Sequence, residues 1–377
     1  MKTRQYKNTG DQISLLGLGC MRLPKLDPDK PEIDIPKAEE IIDYAYQNGI
    51  NYFDTAYPYH GGQSEIVTGQ ALKKYPRESF HLATKFPMFK LSSADEIAPL
   101  FKEQLEKCQT DYFDFYLCHA MNKQRFDLMK ETGLYEFLKK KKEEGVIRHL
   151  GFSFHDKPEV LQQIVDEYEW DFAQIQLNYL DWEMQDAKTQ YEILTEKGIP
   201  VIIMEPVRGG SLASLCEESD AIFKEAAPDK SIASWALRYA MSLPNVMVVL
   251  SGMSTMDQII DNVATASSFE PLTEEEYAVI DRALVTFKEK KTIPCTGCRY
   301  CMDCPAGVDI PKMFAIYNQF AISKKAENFK NDYLAVDEHH RADRCVACGA
   351  CMIPCPQGIA IPDRMAEIVE MAKQYIG

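Results

Sequence analysis

From residue 13 to about 268, short apolar runs rich in β-branched and aromatic residues alternate with stretches whose apolar positions recur every three to four residues. The runs that read as strands are 14–20, 51–56, 80–86, 114–120, 147–153, 172–178, 200–206 and 245–252. Amphipathic helices are predicted at Lys37–Gln47, Ala94–Lys107, Leu134–Glu144, Pro158–Tyr168, Ala187–Glu196, Ile232–Met241 and Met256–Ala266. Such alternation implies βαβ units and a parallel sheet. Eight units in this length predict a closed (β/α)8 TIM barrel of the α/β class. An open dinucleotide-binding sheet would show G-x-G-x-x-G after its first strand, but here that position reads "GLGCMR" and lacks the third glycine. The stretch 119–133, "HAMNKQRFDLMKETG", is expected to be a βα loop shaping a moderately polar pocket.

The pattern changes after residue 272, so the barrel is assigned to 1–272. "LTEEEYAVIDRALVTFKEKK" opens with a capping box, Thr273 to Glu276, and predicts one long exposed connecting helix over 273–292. The remaining segment, 293–377, holds eight of the 12 cysteines. It also repeats: "CPAGVDIP" at 304–311 matches "CPQGIAIP" at 355–362, and each follows a cysteine triplet. The second copy, "CVACGACMIPCP", is C-x2-C-x2-C-x3-C-P, the spacing of a two-cluster ferredoxin. Three thiolates two residues apart wrap one cubane, and the fourth ligates the other. Cys345, Cys348 and Cys351 are thus expected to share a [4Fe-4S] cluster with Cys304, and Cys295, Cys298 and Cys301 one with Cys355. A zinc site needs only two C-x2-C pairs and leaves the triplets unexplained. The first copy is one residue short before Cys304, so Cys298, Cys301 and Cys304 form an alternative triplet. Cys20, Cys108, Cys118 and Cys216 show no spacing and read as buried small hydrophobes.

The net charge of −15 argues against nucleic acid and anionic membrane surfaces as partners. The one dense basic run, Lys139–Lys142, reads as the solvated end of a helix. The opening residues lack a long apolar signal segment, and no stretch approaches the ~20 apolar residues of a membrane span. A cytoplasmic location is expected, where disulfides are rare.

Catalytic groups of a (β/α)8 barrel sit at the C-terminal ends of its strands. Those ends carry Asp54, Tyr59, Lys85 and His119. "NYFDTAYPYHGGQSE", "ATKF" and "YLCHA" together resemble the signature of the aldo-keto reductase superfamily over roughly residues 10–270. The tail resembles that of a branch carrying a ferredoxin-like domain. The resemblance implies carbonyl/alcohol interconversion by hydride transfer from NADH or NADPH on a small-molecule substrate. A tyrosine with pKa ~10 gives up its proton poorly near neutrality, and a nearby ammonium eases that loss. Tyr59 is accordingly expected as acid/base, with Lys85 beside it, Asp54 holding the lysine, and His119 orienting the substrate oxygen.

For the cofactor, the resemblance places Ser153 and Gln176 at the nicotinamide amide, Met204 where many members stack an aromatic ring, and Gly252, Gln258 and Asn262 around the phosphates and adenine. Phe154 stands where an Asn is usual, and the loop after the last strand lacks the two cations that usually grip a 2′-phosphate, which leaves NADH against NADPH open. Arg208, with Gly209 and Gly210, is a candidate cradle for a flavin phosphate. The clusters carry one electron each, so a redox partner protein is a further expectation, as is the alternative of an electron-transfer protein with the barrel as docking scaffold. A non-catalytic accessory subunit would not need all four mouth residues.

Overall fold

The structure, a computed structural model, describes residues 1–6, 9–27 and 30–376; Lys7, Asn8, Pro28, Asp29 and Gly377 lie outside the described residues. Eight parallel strands close into a barrel: β1 (Leu16–Gly19), β2 (Tyr52–Asp54), β3 (His81–Phe86), β4 (Phe113–Met121), β5 (Ile147–Phe154), β6 (Phe172–Gln176), β7 (Val201–Met204) and β8 (Val246–Ser251). Their order around the barrel is sequential, and Val249 beside Leu16 closes the ring. Every strand run read from the sequence overlaps one of these strands, and two of the strands, β4 and β5, extend beyond their runs. Parallel strands walled by helices are buried on both faces, which is why they are nearly continuous apolar runs.

The first run does not form a single strand. Gln12–Ser14 pairs antiparallel with Thr3–Gln5, and the chain bends at Leu15 before β1 begins. Tyr6, buried directly after the first of these strands, donates its hydroxyl to the Asp171 carbonyl at 2.8 Å. It packs with Tyr52, Phe115, Phe172 and Met247, which start or lie early in their strands. The hairpin therefore plugs the N-terminal end of the barrel and leaves the C-terminal end for chemistry.

The segment 119–133 is not a loop. β4 runs to Met121, the Asn122 side chain accepts the Arg125 N–H at 2.9 Å, and a helix spans Lys123–Thr132 before Gly133 ends it at φ 69°. An N-cap Asn and a C-terminal left-handed Gly are what stop a polar segment from remaining irregular. A further helix, Ser64–Leu72, lies so close to Ile97–Cys108 that a Cβ on Gly69 would stand 2.3 Å from the Cys108 carbonyl oxygen. Only glycine permits that approach.

The chain divides into two compact units, and the division differs from the boundary at 272. One unit is Met1–Val207 with Ala233–Leu272; the other is Arg208–Ile232 with Thr273–Gly377. The helix expected as an exposed connector, observed at Glu274–Lys288, buries Ile280, Ala283, Leu284 and Phe287. It packs on Glu217–Ala226 of the same unit, where Ser219 donates to the Ala283 carbonyl at 2.9 Å. The apolar spacing 280, 283, 284, 287 is that of a helix with one buried face, which a free connector would not carry.

In the cysteine-rich unit, both copies of the repeat feed a helix, Ile310–Ser323 and Ile361–Tyr375, with Pro at the second helical position each time. These enclose a core of Val308, Met313, Phe314, Phe329, Met365 and Ile368 that includes Cys301 and against which five more of the eight cysteines pack. Among the described residues, no helix is long and apolar enough to cross a membrane.

Candidate active site and paired thiol sets

Asp54 ends β2 between Gly19 of β1 and Ala83 of β3, and Lys85 lies one step from the end of β3. Both side chains are almost wholly enclosed. The Lys85 Nζ donates to Asp54 Oδ1 at 2.5 Å, to the Thr55 carbonyl at 2.9 Å and to Tyr59 Oη at 3.2 Å. Three acceptors satisfy the ammonium's three protons. Burial pushes the Asp54 carboxyl up while Lys85 pulls it down, and the net direction is up. Burial also raises the Tyr59 phenol well above its ordinary value, with the carboxylates of Asp54 and Glu205 adding to the rise. The hydroxyl is thus held protonated, the form needed to donate a proton.

His119 meets Tyr59 edge-on, ring centres 6.1 Å apart at 83°. Its Nδ1 is enclosed with no hydrogen-bond partner. Burial, then Lys85, Arg125 and His155, push its pKa well below the ordinary range, so the ring is neutral. Its placement depends on a break in β4. The pairing with β5 shifts between Cys118 and Met121, and Ala120 takes φ 51°. Such a conformation costs a non-glycine residue roughly 1–3 kcal/mol and concentrates at functional sites. Ser153 steadies it: its Oγ accepts the Ala120 N–H at 2.7 Å.

The eight thiols of the tail fall into two sets. Burial, then the neighbouring Cys298, Cys295 and Cys355, push the Cys301 thiol up to about 12. Burial likewise raises Cys351, which has Cys304, Cys345 and Cys348 around it. Cys304, Cys345, Cys348 and Cys351 also line one shallow recess. Cys355 thus stands near Cys301, and Cys304 near Cys351. Two sets of four thiols match the donor chemistry of two cubanes. The four other cysteines are all buried.

Residues 15–285 match the aldo/keto reductase family. The chain belongs to that family. In the same chain, residues 294–360 match a 4Fe-4S dicluster domain. The chain is 29% identical over 298 residues to L-galactose dehydrogenase of Arabidopsis thaliana, covering 72% of this chain and 90% of that one. It is 27% identical over 230 residues to the NADH-specific methylglyoxal reductase of Escherichia coli, covering 56% and 69%. The holo form of the aldo-keto reductase AKR11C1 from Bacillus halodurans superposes with a TM-score of 0.62 at 30% identity, covering 75% of this chain and 96% of that one.

The other expected site residues scatter more. Gln176 ends β6, but its amide donates to Asp181 at 2.8 Å. Gln174, two residues earlier on the same face, has its Oε1 buried without a partner and lies beside Asp54. No sequence signal separates it from Gln176, two residues on. Met204 is half-buried at the end of β7. Asn262 is buried and donates to Ser251 Oγ at 3.0 Å. Gln258 turns back to accept the Ser254 N–H at 2.7 Å, so it serves the N-terminus of its own helix, Met256–Ser267.

Gly252 is exposed, and a Cβ there would stand 3.0 Å from the Arg22 side chain. Arg22 is a cation the sequence reading missed, because it follows β1 and not β8. Its guanidinium pairs with Glu205 at 3.4 Å, and Ser254 Oγ donates to its carbonyl at 2.7 Å. His155 joins the mouth beside Lys85 and Arg125, and burial lowers its pKa to about 4.

Arg208 has a different role from the one expected. It belongs to the cysteine-rich unit, is buried there, and donates to the Pro294 carbonyl at 3.2 Å and to Gln357 at 3.4 Å. Gly209 and Gly210 are exposed in left-handed turns. A guanidinium enclosed by protein acceptors does not fit a flavin phosphate cradle.

Proposed function

We propose that this protein interconverts a small-molecule carbonyl and its alcohol, with Tyr59 as acid/base and two [4Fe-4S] clusters relaying electrons. The observation that carries the catalytic part is the buried chain Asp54–Lys85–Tyr59, with contacts of 2.5 and 3.2 Å. Bound NADH or NADPH supplies the hydride.

In reduction, Tyr59 Oη donates its proton to the substrate oxygen as negative charge builds there. The Lys85 ammonium then stabilises the phenolate left behind. Asp54 fixes the ammonium by a charge-assisted bond so that it points at Tyr59. Neutral His119 holds the carbonyl oxygen by hydrogen bonding. In oxidation the same phenolate accepts the alcohol proton.

The residues present fit a nicotinamide dinucleotide in part. Ser153 keeps its hydroxyl proton to donate, Gln174 offers an unpartnered amide oxygen, and Gly252 leaves backbone open beside the Arg22 stem. Cys295, Cys298, Cys301 and Cys355 would hold one cluster, and Cys304, Cys345, Cys348 and Cys351 the other. Thiolate-ligated clusters suit the reducing cytoplasm, where we place the protein.

Tyr59→Phe tests the catalytic role. It removes one hydroxyl whose structural worth is about 1 kcal/mol. The expected result is unchanged folding with kcat for aldehyde reduction lowered roughly 10²–10⁴-fold. Full activity in this variant would refute the mechanism.

A further inference from the structure

β3 outruns its neighbour in the barrel. β2 ends at Asp54, opposite Ala83, so its pairing with β3 stops before Thr84, Lys85 and Phe86. Past that point two side chains from the surrounding helices supply the missing partners. Gln104, on the helix Ile97–Cys108, donates an amide N–H to the Lys85 carbonyl at 3.0 Å. The Thr84 hydroxyl donates to Glu65 Oε1 at 2.7 Å. Gln104 and Glu65 are both wholly buried, and the Gln104 amide also donates to that same Glu65 oxygen at 2.6 Å. Gln104 Oε1 accepts the Tyr116 hydroxyl at 2.6 Å, and Lys107 lies 3.4 Å from Glu65 Oε2.

Glu65 also belongs to the segment that carries Tyr59. It stands in the first turn of the helix Ser64–Leu72, which follows the turn Tyr59–Gly62. In that turn His60, Gly61 and Gly62 are left-handed, at φ 54°, 63° and 92°. The turn is closed at its base, where Ser64 Oγ lies 2.9 Å from Thr55 Oγ1 and donates to the Cys20 carbonyl at 3.1 Å. One amide therefore holds the backbone of Lys85 on one side and the start of the helix behind Tyr59 on the other. The stem of Lys85 is enclosed, so a shift of its backbone passes to the ammonium instead of being absorbed. The titratable and charged groups facing Tyr59 are Asp54, Glu205, Cys20, Arg22, Lys85 and His119. Gln104 is not one of them and carries no charge, so it reaches Tyr59 only through geometry.

We propose that Gln104 is a positioning residue for catalysis. Its amide sets the separation between the Lys85 backbone and the helix behind Tyr59, and so the 3.2 Å contact between Lys85 Nζ and Tyr59 Oη. This rests on the reading of Tyr59 as acid/base. Without the amide, the end of β3 loses a tie on the side that β2 has left, and the ammonium withdraws from Tyr59. A phenolate farther from a cation forms less readily.

Gln104→Met keeps the length of the side chain, changes no charge and removes both donor contacts. It also strands the Tyr116 hydroxyl, so it is compared with Tyr116→Phe and with the double variant, which leaves neither of that pair unpartnered. The anaerobic holoprotein is assayed across pH with NADH and with NADPH, using 4-nitrobenzaldehyde for reduction and 4-nitrobenzyl alcohol for oxidation. The expected result in Gln104→Met and in the double variant is a kcat about ten-fold lower with KM unchanged. The rise of kcat for oxidation, which needs the phenolate, moves to higher pH in both. Tyr116→Phe keeps the wild-type kcat and pH profile. Loss of folded protein alone lowers activity equally at every pH, so a wild-type profile in Gln104→Met makes the residue structural and overturns the proposal. A profile shifted as far in Tyr116→Phe overturns it too. If Gln104→Met does not fold, the double variant carries the same test. Full activity in Tyr59→Phe overturns the reading beneath; a crippled Tyr59→Phe beside an unmoved Gln104 profile overturns this proposal alone.

Discussion

Replacing Lys85 by Met removes an ammonium that is 1% exposed and touches three acceptors. At 2.5 Å and an effective dielectric constant near 20, its attraction to Asp54 is about 6–7 kcal/mol, largely offset by the desolvation of both ions. The variant keeps the buried carboxylate and loses the compensation, so the barrel is expected to be destabilised by about 3–5 kcal/mol. Asp54 escapes part of this cost by taking up a proton, since burial already pushes its pKa up and Lys85 no longer opposes the push. The folded variant then binds more protons than the unfolded chain above pH ~4, so its stability falls as pH rises. The deficit should be larger at pH 8 than at pH 5. Adding Asp54→Asn removes the stranded charge and should restore most of the stability without restoring turnover. All three tryptophans, Trp170, Trp182 and Trp235, belong to the barrel unit, so urea titration followed by their fluorescence reports on the barrel alone. Equal stability of wild type and Lys85→Met at pH 8, or a double variant no more stable than the single one, would refute the reasoning.

Two other outcomes follow from the same structure. Burial lowers the His149 pKa from 6.5 to about 4, and its ring packs on Tyr6 and Phe115 at 4.5 and 4.8 Å. The unfolded chain binds this proton first, so stability should fall by roughly 3 kcal/mol as pH drops from 6.5 to 4, and His149→Phe should flatten that slope in the fluorescence assay. Cys355→Ser should disturb the cluster of the distant triplet Cys295, Cys298 and Cys301 and leave that of its own triplet. Iron analysis with electron paramagnetic resonance would then show about half the iron and one altered signal; loss of the Cys345 triplet's signal instead would contradict the crossed grouping.

The barrel was legible because its strands are buried on both faces and each apolar run stands out between polar helices. Where legibility failed, the cause was local. The hairpin Thr3–Gln5 with Gln12–Ser14 is too short and too polar to register as strand. The helix Lys123–Thr132 has few apolar positions, so only its Asn and Gly caps announced it. Asp54, Tyr59, Lys85 and His119 could be read because strand ends are fixed by the alternation, and the structure brings them within contact of one another. The residues around them could not be read as well. Gln174 and Gln176 share a face and differ only in whether Asp181 is near. Arg22 reaches Gly252 from the opposite end of the chain. Arg208 seemed to belong to the mouth because it follows β7, but the chain leaves the barrel unit at that residue. Distance in sequence hides each of these facts, and no periodicity carries them.

The paired repeat bears on what the tail is for. A site that only staples a small unit needs one set of four thiolates, which a single metal ion would satisfy. On the proposed grouping there are two sets, and each borrows its fourth thiol from the other half of the repeat. Crossing the ligands ties the two halves together, so neither set is complete without both segments. Each cluster of this kind carries one electron, whereas a hydride carries two. Two clusters therefore match, in number, the electron pair handled at the barrel mouth, and one cluster would not. On the proposed reading this count explains the duplication, and the difference in exposure between Cys301 and Cys348 explains why the two sets are not interchangeable. Of the eight thiols only Cys301 is buried and only Cys348 is exposed, so that difference rests on one residue in each set.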